Sequence, residues 1–264
     1  MEEFETVEAE FDEETHVGRL TLNRPDALNA LSDQLRQDLV AGLQWLESHN
    51  EDADGIALRA VVVEGAEGNF CAGADISEFS EASPGETSGQ HHYEFIQEFP
   101  VPIIAKIRGY CLGGGLETAM ACDFRFAHSD ARLGLPEVDL GLIPGAGGVQ
   151  FISRLANPSV AKEVAMTGDH LSADRADELD IVNRVYDDAD LDEATREFAE
   201  TLAAKPPLAV QAIKDAANVA TQVGLNEGRS YDRRRFEPLL ETEDHQEGAR
   251  AFAEDDYDPE FRGR

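Results

Sequence analysis

Two glycine-containing turns in this chain have the makings of an anion-binding site. One is Cys71-Ala72-Gly73-Ala74-Asp75-Ile76, which follows the β-branched run Ala60-Val61-Val62-Val63. The other is Gly113-Gly114-Gly115-Leu116-Glu117, which follows Val101-Pro102-Ile103-Ile104-Ala105-Lys106-Ile107 and opens a helix-like stretch to Cys122. A helix start offers unpaired N–H groups at the positive end of the peptide dipoles. Glycines there let a ligand approach the backbone. Two such turns side by side would aim two N–H donors at one oxyanion. The plainer alternative is a pair of tight turns, and spacing alone leaves both open.

Two acids add chemistry to this picture. Glu117 lies three residues after Gly114, near one helical turn, so its side chain can lie back over the helix start. Glu137 sits in Gly134-Leu135-Pro136-Glu137-Val138, an apolar setting. An acid in apolar surroundings is costly unless it is used or paired. In a chain with 54 acidic residues, a surface carboxylate is the ordinary alternative for each.

Other chemistries lack their signatures. There is no G-x-x-x-x-G-K-[ST] phosphate loop, no G-x-S-x-G elbow and no H-E-x-x-H zinc motif. Gly145-Ala146-Gly147-Gly148 does not complete a G-x-G-x-x-G fingerprint. His91-His92 lies in a polar stretch and reads as a solvated surface pair. Cys71, Cys111 and Cys122 are odd in number, widely spaced and without C-x-x-C, so buried free thiols are expected and no metal site.

The elements that must position these residues are legible as well. Residues 4–11 and 17–22 read as strands joined by a turn. Ser32 reads as an N-cap, followed by Leu35, Leu39, Val40, Leu43 and Leu46 at helical spacing. The β-branched runs at 60–63 and 101–107 read as buried strands, each leading into a turn and a helix. This order gives an α/β class of repeated β-β-α units. After about residue 190 the chain turns helix-periodic, with a helix from Pro206-Pro207 to about 222 and breaks at Gly224 and Gly228. The organisation expected is a core over 1–195 and a helical region over 196–264.

Composition narrows the partners. The chain of 264 residues carries 54 acidic and 22 basic residues, a net charge of −32, and only four lysines. Nucleic acid and anionic membranes are poor partners for such a surface, because binding either rests on cations. No apolar run approaches the ~18 residues of a membrane span. The start, Met1-Glu2-Glu3-Phe4-Glu5, lacks the basic and apolar parts of a secretory signal, so a cytoplasmic location is expected. The acids are spread along the chain, which suits a salt-rich cytoplasm where screening is short-ranged.

Taken in order, the motifs resemble the enoyl-CoA hydratase/isomerase, or crotonase, family. The matching segments are Asn23-Arg24-Pro25 with Asn29-Ala30-Leu31, Ala72-Gly73-Ala74-Asp75-Ile76, and Gly113-Gly114-Gly115-Leu116-Glu117. Pro136-Glu137 with Gly141-Leu142-Ile143-Pro144-Gly145-Ala146-Gly147-Gly148 follows, then Glu247-Gly248-Ala249-Arg250-Ala251-Phe252 and Pro259-Glu260-Phe261 near the end. The resemblance implies a spiral of β-β-α turns and a C-terminal helical region used in trimerisation, as a homotrimer or a dimer of trimers. It implies an acyl-CoA substrate whose thioester oxygen is held by the N–H groups of Ala74 and Gly114. It places the two hydratase glutamates on Glu117 and Glu137. Ala27, Ala72, Ala74, Asp75, Ile76, Gly114, Pro136 and Gly145 are the implied substrate and coenzyme A contacts. No cofactor is implied beyond the coenzyme A of the substrate itself.

Among family reactions, both glutamates and the absence of an acid at Gly145 point to a hydratase rather than an isomerase. A non-catalytic acyl-CoA-binding or RNA-binding relative is the alternative from another class. The chain departs from the family pattern at Asp26 and at Asp255-Asp256, where members often carry basic residues associated with coenzyme A phosphates. Arg24, Lys106, Arg233-Arg234-Arg235 and Arg262 are the cations left to hold them.

Overall fold

Apolar alternation builds the first hairpin. A short β1 (Glu2–Glu3) leads to β2 (Val7–Asp12), which pairs antiparallel with β3 (Val17–Leu22). Val7, Ala9, Leu20 and Leu22 all point into the core. The second strand thus starts at Val7 rather than residue 4. These coordinates are a computed structural model, which describes residues 1–79 and 91–264.

Ser32 caps α1 (Asp33–Ser48) as expected, its hydroxyl accepting from Leu35 N–H at 3.1 Å. Leu35, Leu39, Leu43 and Leu46 form the buried stripe. Next come β4 (Ala60–Gly65), α2 (Ile76–Phe79) and α3 (His91–Glu98). Then β5 (Ile103–Ile107) and β6 (Tyr110–Leu112) precede α4 (Gly114–Ala121), and β7 (Phe124–His128) and β8 (Arg132–Gly134) precede a 3-10 turn over Pro136–Leu140. The chain continues through α5 (Gly148–Leu155), α6 (Pro158–Thr167), β9 (Leu171–Ser172), α7 (Ala173–Glu178) and β10 (Arg184–Tyr186). It ends in α8 (Asp188–Ala203), α9 (Pro207–Ala220), α10 (Leu225–Leu239) and α11 (Glu243–Ala253).

Seven strands make one sheet in the order β1-β2-β3-β4-β5-β7-β10, and β6-β8-β9 make a second. The repeating unit is a strand in the large sheet, a short strand in the small one, and a helix. β5-β6-α4 is one such turn. In the turn after β4, single bridges at Cys71↔Cys111 and Leu31↔Ala74 replace the short strand. Stacking these turns brings their strand-to-helix corners to one place.

The strand runs are apolar on both faces because both faces are covered. Val61 and Val63 face the main core, while Ala60 and Val62 pack with Ile104 and Phe126 under α8. In α8, Leu191, Thr195, Ala199 and Ala203 are buried, so the line drawn at 195/196 falls inside an unbroken helix seated on the sheet. Gly224 does mark a break, as the N-cap of α10, whereas Gly228 lies within that helix. No helix among the described residues is long and apolar enough to cross a membrane.

Candidate active site

The two turns meet. Leu31 N–H donates to Gly73 O at 2.8 Å and Asp75 N–H donates to Leu31 O at 3.0 Å. This parallel bridge leaves the Ala74 N–H pointing the other way, toward Gly114. Ala72 N–H donates to Leu28 O at 3.0 Å, which stitches the 3-10 turn Pro25–Ala27 to the same corner. Ala27, Ala72, Ala74, Asp75 and Ile76 therefore form one connected wall.

Gly113 and Gly114 close the opposite side. Gly113 adopts φ +50° just ahead of α4, in the left-handed region that favours glycine. A Cβ built on Gly113 would lie 3.1 Å from Glu137 Oε1 and 3.8 Å from the Gly73 Cα. One on Gly114 would lie 3.8 Å from the Ala74 nitrogen and 3.0 Å from the Tyr93 hydroxyl. Both positions are crowded because both turns and Glu137 converge there. Among the described residues, neither the Ala74 nor the Gly114 N–H has a backbone acceptor. The geometry thus leaves two donors side by side.

Glu117 does not lie back over its own helix start. It reaches across to the next turn, where Oε1 accepts from Ala146 N–H at 2.8 Å and Gly148 N–H at 2.7 Å. Burial raises its pKa, and the two N–H bonds oppose that rise by favouring the carboxylate. Glu137, on the 3-10 turn begun by Pro136, has only its own backbone N–H to favour its carboxylate. Its Oε2 is buried without a hydrogen-bond partner. Burial, with the nearby Glu117 charge adding to it, pushes its pKa up to about 7. Both acids are pushed upward by burial, Glu117 against two N–H groups from the next turn and Glu137 beside the Glu117 charge, so the two titrate as a coupled pair in unlike surroundings.

The Gly145–Gly148 run, set aside above as an incomplete nucleotide fingerprint, supplies the donors that hold Glu117. Gly147 takes φ +102° as N-cap of α5, and the N–H groups on either side of it, Ala146 and Gly148, meet at the carboxylate. A Cβ on Gly145 would meet no other described residue within 4 Å. The signal was available in the glycine spacing, but its partner, 29 residues earlier in the chain, is visible only in three dimensions.

The structure corrects the reading of the histidine pair. His92 is buried at 1% exposure, its ring 3.7 Å from that of Tyr93. Its Nε2 lies 3.2 Å from the Thr118 hydroxyl, which donates to Gly114 O at 2.8 Å. The helical phase of α3 turns this residue inward against α4. Sequence reading also missed Thr118 and Tyr93 as supports of the Gly114 turn.

Of the cations considered for phosphates, Arg24, Lys106, Arg235 and Arg262 are engaged in ion pairs, and Arg234 stacks over the Tyr231 ring. Arg24 pairs with Asp75 at 2.9 Å. Lys106 pairs with Glu64 and Asp192 on the opposite face of the sheet, under α8, and so is away from the cleft. Arg235 pairs with Asp215, and Arg262 with Asp54 and Glu260. Among the described residues no group of three or more His, Cys, Asp or Glu is arranged to hold a metal ion.

Comparison with known proteins places this arrangement. The enoyl-CoA hydratase/isomerase sequence family matches residues 12–264. A short-chain-enoyl-CoA hydratase of Clostridium acetobutylicum is 35% identical over 92% of this chain and 93% of its own. The 2,3-dehydroadipyl-CoA hydratase of Escherichia coli is 36% identical over 93% and 94%. Among solved structures, an enoyl-CoA hydratase subunit from Geobacillus kaustophilus superposes with a TM-score of 0.91 at 37% identity, covering 100% of both chains. An enoyl-CoA hydratase from Mycobacterium tuberculosis gives 0.87 at 31% identity over 98% and 99%. With its fold, its paired turns and these matches in agreement, the chain belongs to the enoyl-CoA hydratase/isomerase family.

Proposed function

We propose that this protein adds water across the 2,3 double bond of a trans-2-enoyl-CoA to give the 3-hydroxyacyl-CoA. The observation that carries this reading is the unlike environment of Glu117 and Glu137 beside two converging N–H groups. The thioester oxygen accepts from Ala74 and Gly114, which draws electrons toward it and makes C3 electrophilic. Glu117, kept as a carboxylate by Ala146 and Gly148, takes a proton from water as its oxygen bonds to C3. The resulting enolate-like charge rests on the two N–H groups. Glu137, protonated through burial, gives its proton to C2, and the charge returns to the thioester. Proton transfer from Glu117 back to Glu137 restores the pair.

Ala27, Ala72, Asp75, Ile76, Pro136 and Gly145 line the route of the acyl-CoA in this reading. The only coenzyme present is that of the substrate. The assembly proposed is a homotrimer or a dimer of trimers, in a cytoplasm rich in salt. The test is loss of enoyl absorbance from crotonyl-CoA in molar KCl, with a 3-enoyl-CoA assayed beside it. Rapid hydration supports the proposal. Isomerisation of the 3-enoyl thioester without hydration would replace it with an isomerase.

A further inference from the structure

Arg24 has its donors committed inside the turn cluster. Nη2 donates to Asp75 Oδ2 at 2.9 Å and Nη1 to Ala30 O at 2.5 Å. Its backbone N–H donates to Asn29 Oδ1 at 2.9 Å. Asn29 is fully buried, and its Nδ2 donates to Ala66 O at 3.0 Å and Asn69 O at 2.7 Å. Leu28 and Asn29 both hold positive φ, at 51° and 56°. Non-glycine residues persist there only where the surroundings over-determine them, and such strain gathers at functional sites. The strained segment is the one whose Leu28 O and Leu31 O take the N–H groups of Ala72 and Asp75.

Asp75 is equally constrained. Its Oδ1 accepts from the Ser77 N–H at 3.2 Å and the Ser77 hydroxyl at 2.7 Å, while Oδ2 takes Arg24. The side chains of Arg24 and Asp75 are only 24% and 18% exposed, which shields the pair from the screening that weakens surface bridges. Asp75 is the next residue after Ala74. Leu31 bonds Gly73 O and the Asp75 N–H on either side of Ala74, so a displacement of Asp75 shifts the bridged segment that carries the Ala74 N–H.

Resting on the hydratase reading above, we propose that Arg24 is a positioning residue. Through Asp75 and Ala30 it fixes the Ala74 N–H against Gly114, and it is not a ligand of the coenzyme A phosphates. A planar fork suits this geometry, since one guanidinium spans a carboxylate and a carbonyl at once. Lysine has the charge but not the fork.

The experiment compares two substrates with Arg24→Met, Arg24→Lys and Asp75→Asn. One is crotonyl-CoA; the other is crotonyl-pantetheine, which lacks the nucleotide and its phosphates. Positioning predicts a kcat fall of about ten- to a hundredfold, the scale of a misaimed reacting group, equal for both substrates. Arg24→Lys should recover only part of it. The double variant Arg24→Met/Asp75→Asn should be little worse than either single, because both act through one N–H. The absorbance shift of a bound 3-aryl-2-enoyl-CoA reads carbonyl polarisation without turnover, and it should shrink in each variant.

A loss confined to crotonyl-CoA and expressed in KM would make Arg24 a phosphate ligand and overturn the proposal. An unchanged kcat and an unchanged absorbance shift would overturn it as well. Should Arg24→Met not fold, Asp75→Asn and Arg24→Lys decide the matter by the same readouts. Absence of hydration by the wild type would instead count against the hydratase reading, while the absorbance shift would still judge the clamp.

Discussion

Helices α4 and α10 are built on opposite terms. All eight residues of α4 are buried, including Glu117 and Thr118. None of the fifteen residues of α10 is buried. α4 is walled by the core and by the turn that binds Glu117, and the chain supplies every neighbour it needs. α10 carries Leu225 at 79% and Phe236 at 57% exposure, and α11 carries Phe252 at 95%. With α9 and α11 it frames a cavity of about 570 Å³ lined by Leu208, Ile213, Phe236 and Leu239. One region is finished by a single chain; the other has apolar surface to spare, as the proposed trimer requires. The proposed chemistry is thus seated where packing is complete, and the proposed assembly where it is not.

The sharpest test of that division lies in α4. Glu117→Gln should lower the hydration kcat by about 10³-fold while acyl-CoA binding stays within a few-fold, since the residue acts on the transition state. Glu137→Gln should be similarly severe. It should also raise the melting temperature at pH 8 by roughly 2–4 °C. Its folded pKa is raised to about 7 from an ordinary 4.5. The folded state therefore loses stability as pH climbs from about 4.5 through 7, and the neutral amide escapes that loss. For the same reason the wild-type rate should fall above pH 7 as Glu137 gives up its proton. Calorimetry at pH 4.5 and 8 checks the sign: equal gains at both would remove the burial argument.

Next in size is the seam between the regions. Lys214 of α9, 7% exposed, donates to Asp123 Oδ2 at 2.7 Å and to Val101 O at 3.0 Å. Asp123 Oδ2 also takes the Ile103 N–H, so this pair ties the C-terminal helices to the first residue of β5. Removing the cation leaves a buried carboxylate alone, at a cost of about 3 kcal/mol. Lys214→Met should show this in denaturant unfolding at pH 7 and lose most of it in acid, because burial raises the Asp123 carboxyl and its protonated form needs no cation. A cost unchanged between the two would mean that the loss is one of packing.

The sequence displayed the packed region far better than the contacts inside it. The Val61–Val63 and Ile103–Ile107 runs, the Ser32 cap and both glycine turns were readable, because period, capping and backbone freedom are local properties. The burial of His92 was not, since a polar neighbourhood along the chain says nothing of what α4 packs against. Nor was the hold of Ala146 and Gly148 on Glu117, which joins two spiral turns. Arg24 and Lys106 looked alike as free cations, and only the sheet reveals that one faces the cleft and the other α8.

A third, smaller effect belongs to α10. On the proposed trimer, Phe236→Glu should leave a monomer of about 29 kDa in light scattering, by placing charge in the apolar surface that the proposal gives to another subunit. Far-ultraviolet circular dichroism should stay unchanged, because nothing in α4 or the sheet depends on Phe236. Loss of secondary structure along with assembly would show that α10 belongs to the core fold.

The smallest effect separates α4 from α11 by salt alone. With a net charge of −32, the surface repels itself at low ionic strength. Screening shortens from about 10 Å at 0.1 M to about 3 Å at 1 M salt. Melting temperature should therefore rise with KCl. The gain should be uneven, however. α4 is held by apolar burial and by short hydrogen bonds inside the core, which screening barely reaches. α11 sets Glu243, Asp244 and Glu247 against Arg250 alone and persists against mutual repulsion, whereas α10 balances Glu227, Asp232 and Glu237 with Arg229, Arg233, Arg234 and Arg235. Hydrogen exchange at 0.1 and 2 M KCl reads this residue by residue. Amides of α11 should gain several-fold more protection than those of α4 or α10. A uniform gain along the chain would mean that the two regions unfold as one unit, and the contrast between them would then be one of surface alone.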